Sequence, residues 1–136
     1  LVANSIPETE TLHFTFDPNR INNQSVLFCF SDMNQRPSRH YVEELVKKAE
    51  ELKKKGIVVA LVQTAQMDQK DLDEWVAKDK IPFPVGMIKR DVEKVLLNWG
   101  VRGLPWLILT DQKHIVRAEG FSIDELNDKL KIIVQE

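Results

Sequence analysis

One cysteine, Cys29, occurs among 136 residues. An internal disulfide is therefore impossible, and the redox compartment cannot be inferred from cysteine usage. The three histidines, His13, His40 and His114, fall in three separate segments and share no zinc-type spacing with Cys29. No apolar run approaches the ~20 residues that a membrane-spanning helix needs, so this segment is not expected to insert in a bilayer. Neither sign of charge dominates: 19 basic residues stand against 21 acidic ones, mixed along the chain, for a formal net charge of −2. That balance offers no broad cationic surface for nucleic acid and no polybasic membrane anchor. The chain opens on Leu1, with neither an initiator Met nor a basic-then-apolar leader, and is read as a mature chain or a domain excised from a longer one.

What remains suits one compact domain spanning 1–136, long enough for a sizeable core and without a linker to divide it. Residues 1–11 read as a polar lead-in. "LHFTF" (12–16) alternates apolar and polar residues, the period of a half-buried strand, and "DPNRINNQ" (17–24) is a turn cluster. "SVLFCF" (25–30) is a continuous apolar run, the pattern of a strand buried on both faces. A helix is expected from Pro37 or Ser38 to Gly56, with Val42, Leu45, Val46, Ala49 and Leu52 as its apolar stripe. Glu43/Lys47, Glu44/Lys48, Glu50/Lys54 and Glu51/Lys55 lie four apart on its solvated side. "IVVALVQ" (57–63) is a second buried strand.

Asp68 is expected to cap a helix carrying Leu72, Trp75 and Val76. Pro82 and Pro84 restrict "IPFPVGM" (81–87) to a short extended piece. Val92, Val95, Leu96 and Trp99 mark a short helix stopped by Gly100. "PWLILT" (105–110) and "HIVRAE" (114–119) are strands joined by a turn at "DQK". Ser122 with Glu125 forms a capping box before the last helix. The order β, β, α, β, α, short β, α, β, β, α predicts a mixed α/β sandwich.

At "SVLFCFSDMNQRPSRHYVEEL" and "VRGLPWLILTDQKHIVRAEGF" the chain resembles the thioredoxin superfamily, above all the redoxin branch that includes cytochrome-maturation thiol–disulfide oxidoreductases. The resemblance spans roughly residues 5–134. It implies an α/β, thioredoxin-like three-layer sandwich with a mixed central sheet, an N-terminal strand extension and an insertion at 64–99. Phe30 matches the strand end, and Gln35 and Ser38 fall on the two cysteine positions, with Pro37 and Arg39 matching in kind. Gly103-Leu104-Pro105, Asp111 and Gly120 match the second signature, which implies a cis Leu104–Pro105 peptide facing the loop. Cys29 takes the strand position where thioredoxins proper keep a buried carboxylate.

Thiol–disulfide exchange needs an attacking thiolate and a second sulfur. A Gln amide and a Ser hydroxyl supply neither, so the oxidoreductase activity of the family is not carried over. Gln35, Arg36, Pro37 and Ser38 read as a degenerate redox loop, and Leu104, Pro105 and Trp106 as the facing groove wall. Arg36, Arg39 and Arg102 are candidate anion contacts beside a helix N-terminus, although surface arginines that are solvated or paired with Asp32 are the plainer reading. Ser38 lacks an activating base in sequence and reads as a helix-start residue satisfying backbone donors. Cys29, inside a buried strand, reads as a small inert hydrophobe. Trp75 and Trp99 read as core; Trp106 reads as core packing first and, as the alternative, as a groove wall that stacks on a ligand.

The favoured expectation is a redox-inactive thioredoxin-like domain that binds a protein or peptide, or another domain of its parent chain, with no cofactor and no metal. Two alternatives stand beside it: an enzyme holding an anion or thiol peptide at the Arg-rich helix start, and a redox participant working through Cys29. The resemblance also leans toward the cell envelope or secretion in bacteria.

Overall fold

A computed structural model describes residues 2–7, 12–14, 23–88 and 90–134. Residues 17–22 of the turn expected at 17–24, residues 8–11 and the last two residues of the first expected strand lie outside the described residues. Among the described residues the sheet has six strands: β1 (Leu12–Phe14), β2 (Ser25–Ser31), β3 (Ile57–Gln63), β4 (Val85–Ile88), β5 (Trp106–Thr110) and β6 (Val116–Glu119), in the order β1-β4-β3-β2-β5-β6. β2 and β3 pair in parallel, as do β3 and β4, while β1–β4, β2–β5 and β5–β6 are antiparallel. The early strand–helix–strand units thus yield parallel neighbours and the late hairpin antiparallel ones, because a helical crossover returns the chain in the same direction and a tight turn reverses it. The 2–7 segment pairs with the edge at His114–Val116, through Ala3 N–H to Val116 O and Val116 N–H to Asn4 O, both 2.8 Å.

The alternation of side chains along each strand splits the core in two. Leu27, Cys29, Val59, Leu61, Leu107 and Leu109 face α1 (Arg36–Lys47), α2 (Ala49–Lys54), α3 (Gln69–Lys78) and α5 (Leu126–Val134). Val26, Phe28, Phe30, Val62 and Ile108 face α4 (Val92–Asn98). There Trp99 is 1% exposed and stacks edge-on against Phe28, with ring centroids 5.0 Å apart. Every residue of β2 is buried, which is why its interior, Val26 to Phe30, reads as an unbroken apolar run.

The helix expected from 37 to 56 is two. α1 begins at Arg36 and the chain turns at Lys48, whose N–H is shared between Glu44 O and Leu45 O, before α2 continues the same stripe to Leu52. Lys47 pairs with Glu44 three residues away, and Lys55 with Glu51 as the spacing suggested. Asp68 occupies the N-cap of α3, but its side chain makes no capping bond. The Ser122–Glu125 box is complete in both directions and opens a 3-10 turn at Ile123–Glu125, ahead of α5.

Candidate functional site

β2 runs parallel to β3 as far as the Ser31–Gln63 pair and then gives way to a four-residue loop, Asp32 to Gln35. A polar loop that leaves a buried strand must satisfy its own backbone groups, and this one does so completely on the donor side. Asp32 N–H donates to Ser38 Oγ at 3.1 Å, and Met33 N–H donates to Gln63 Oε1 at 3.0 Å. Asn34 N–H donates to Asp32 Oδ1 at 3.0 Å, and Gln35 N–H to Asp32 O at 2.9 Å. Arg39 Nη1 then donates to Met33 O at 2.9 Å. The loop is knitted to the helix that follows it and to the neighbouring strand.

Gln35 is the N-cap of α1, with extended backbone and no side-chain capping bond, and Pro37 lies in the first turn, where its missing N–H is not needed. Gln35, Arg36, Pro37 and Arg39 are exposed. Ser38 is 0% exposed, and its hydroxyl closes the loop rather than capping the helix. Satisfaction of a backbone donor by Ser38 was legible from sequence; that the donor belongs to Asp32, six residues back, was not. Asp32 accepts from Asn34 N–H and from Gln63 Nε2, and none of the bonds described to it comes from an arginine.

The second wall comes from β5. Its register with β2 pairs Phe30 with Trp106, so Pro105, one residue before Trp106, lies where β2 opens into the loop. Antiparallel pairing therefore brings residues 104–106 to the same sheet end as residues 32–38. The Leu104–Pro105 peptide bond is cis. Leu104, Pro105 and Trp106 are half-buried, and Arg102 is exposed. Trp106 packs on the α4-side core, and its Nε1 is buried without a hydrogen-bond partner.

Gly120 explains where the indole lies. Its φ is +68°, and a Cβ on it would fall 2.7 Å from Cη2 and 2.8 Å from Cζ2 of Trp106. Only a residue without a side chain lets the ring rest on that backbone. At Gly103, by contrast, a Cβ would meet nothing within 4 Å.

Cys29 lies on the face of β2 that packs against α1, α3 and α5, wholly buried, and burial pushes its thiol from 9.0 to about 12. His40 is exposed at the start of α1 beside Tyr41, and no group of three metal-ligating side chains occurs among the described residues. A hollow of about 440 Å³ lined by Asp111, Lys113 and Arg117 belongs to the far end of β5, away from this edge. Nearer lies a groove of about 360 Å³ between α1 and α3, lined by Val42, Val46, Trp75 and Ile81, with Arg39 among its residues.

Gln63 is the participant that sequence reading missed. Its signal was present: the one polar residue of "IVVALVQ", at the strand's end and 1% exposed in the fold.

No protein-family model and no curated protein matches the chain. Solved structures do. A thiol:disulfide interchange protein from Bacteroides sp. superposes with a TM-score of 0.81 at 20% identity, over 100% of this chain and 91% of that one. The thioredoxin domain of a thiol-disulfide oxidoreductase from Bacteroides vulgatus gives 0.81 at 22% identity, over 98% and 99%. A secreted thiol-disulfide isomerase from Corynebacterium glutamicum gives 0.74 at 19% identity, over 89% and 77%. The chain has the thioredoxin fold.

Proposed function

We propose that this chain is a redox-inactive thioredoxin-fold domain that serves as a protein-binding or structural module. The observation that carries the reading is the chemistry at the loop. An exposed Gln35 and a buried, hydrogen-bonded Ser38 occupy the positions that the resemblance assigns to the cysteine pair. The sole cysteine is fully buried, with its thiol raised to about 12. Exchange requires an accessible thiolate, and Cys29 offers neither access nor charge at neutral pH. The disulfide chemistry in the names of the similar structures is therefore not extended to this chain.

The edge between the 32–38 loop and the Leu104–Pro105 turn is the proposed contact surface. Its half-buried Leu104, Pro105 and Trp106 beside exposed Gln35, Arg36 and Pro37 suit an extended polypeptide, which can add to backbone at a sheet end while side-chain pockets select it. The partner is a separate protein or peptide, or another domain of the parent chain. An anion site at the helix start draws less support, because Pro37 removes one first-turn N–H and Arg39 is turned to a carbonyl.

The test is thiol-dependent disulfide reduction by the wild type and by Cys29→Ala. Both are expected at background, and wild-type activity that disappears in Cys29→Ala would overturn the proposal. In the same assay Gln35→Cys/Ser38→Cys is expected to gain exchange; a silent double variant would count against the placement of the groove.

A further inference from the structure

Gln63 closes the β2–β3 ladder opposite Ser31, and beyond that pair two segments leave the sheet side by side: 32–35 toward α1 and 64–68 toward α3. The first step out is still laddered, Thr64 N–H and Oγ1 both donating to Ser31 O at 2.9 and 3.1 Å. From there the bridging falls to one side chain. Gln63 Oε1 accepts from Met33 N–H at 3.0 Å, while Nε2 donates to Ala65 O at 3.3 Å and to Asp32 Oδ1 at 3.4 Å.

A primary amide is suited to this because one planar group carries both an acceptor and two donors. An apolar residue, as at the six preceding positions of β3, would fill the space and leave Met33 N–H without its partner. A carboxylate would keep the acceptor and lose both donors.

We propose that Gln63 is a positioning residue: it sets the shape of the 32–35 loop, and so of the proposed contact edge, and locks that loop to the 64–68 segment. The functional half of this inference rests on the groove reading above; the geometric half does not.

Amide hydrogen exchange by NMR on the whole chain tests the geometric half. In Gln63→Met, a near-isosteric change without hydrogen-bonding groups, the Met33 amide is expected to exchange about tenfold faster than in the wild type. Amides of the ladder, such as Phe28 and Leu61, should keep their rates. In Gln63→Glu both donors are lost and the second carboxylate oxygen faces Asp32 Oδ1 and Ala65 O, so the resonances of Ala65 to Met67 should shift as Ala65 O loses its donor.

Unchanged Met33 exchange in Gln63→Met, or an equal acceleration throughout the ladder, would overturn the proposal. If Gln63→Met does not fold, Gln63→Glu decides alone: unmoved 65–67 resonances defeat the lock.

The functional half is read in the Gln35→Cys/Ser38→Cys background, where adding Gln63→Met should slow disulfide reduction about tenfold. An active double-cysteine protein indifferent to Gln63→Met would overturn the positioning role. A double-cysteine protein with no exchange defeats the groove reading instead, and leaves the Met33 result to judge the loop.

Discussion

The hydroxyl of Ser38, with no solvent exposure, accepts the backbone N–H of Asp32 at 3.1 Å and so ties the first turn of α1 to the residue that follows β2. The link spans the 32–38 loop, and it joins through a hydrogen bond what a sulfur at position 38 would leave to a weaker contact.

Removing that hydroxyl should therefore be felt. Ser38→Ala leaves the Asp32 N–H unpaired in a part-buried site, and we expect a loss of about 1–2 kcal/mol of stability. Urea denaturation checks it, with an unchanged m-value as the sign that the folded and unfolded states keep their compactness. Ser38→Cys should lose less than Ser38→Ala, since sulfur remains a weak acceptor.

Gly120 and Trp106 form a second coupled pair. Gly120→Ala meets both a left-handed backbone, φ +68°, and an indole 2.7 Å from the new methyl. We expect it to destabilise the protein by about 1–3 kcal/mol. In a double-mutant cycle, Trp106→Ala should recover the steric part and leave the backbone part, giving a coupling of at least ~0.5 kcal/mol. Strict additivity would mean that the ring can move aside freely.

The buried thiol of Cys29 bears on alkaline stability. Its proton is held to about 12 in the folded chain against 9.0 ordinarily, so above pH 9 unfolding releases a proton. The contribution of Cys29 to stability should be complete below pH 9 and decline as pH rises from 9 toward 12. Cys29→Ala should flatten that alkaline limb in pH-dependent urea melts, whatever its constant cavity cost. A thiol reagent at pH 8 should label the native protein only after denaturant is added.

The capping box offers a local test. Ser122 accepts from Asp124 N–H at 3.1 Å, and Glu125 accepts from Ser122 N–H at 3.1 Å. Ser122→Ala should cost about 1 kcal/mol, seen as a lower urea midpoint, because the first-turn donor loses its acceptor.

Much of the scaffold was legible because its causes are local. "VLFCF" (26–30) and "IVVALV" (57–62) are apolar without interruption because β2 and β3 are covered on both faces, and Val42, Leu45 and Leu52 recur at helical spacing because one face of α1 and α2 packs on the sheet. The Ser122–Glu125 box lies within four residues. The break at Lys48 was not legible, since no Gly or Pro marks it and the chain only shares a hydrogen bond there. The start of α1 at Arg36 falls one or two residues before the Pro37 or Ser38 at which it was expected.

The residue types were set by sequence alone: an amide at 35 and a hydroxyl at 38 in the loop, and a single thiol inside an apolar strand, which leaves no cysteine pair. Tertiary structure decided how they are used. Ser38 turns inward to Asp32, Gln63 reaches across from β3 to Met33, and Gly120 lies beneath Trp106. These pairings depend on strand register and on chain segments that meet only after the sheet has formed. A linear pattern records which groups are available, and the packing of the sheet determines which of them meet.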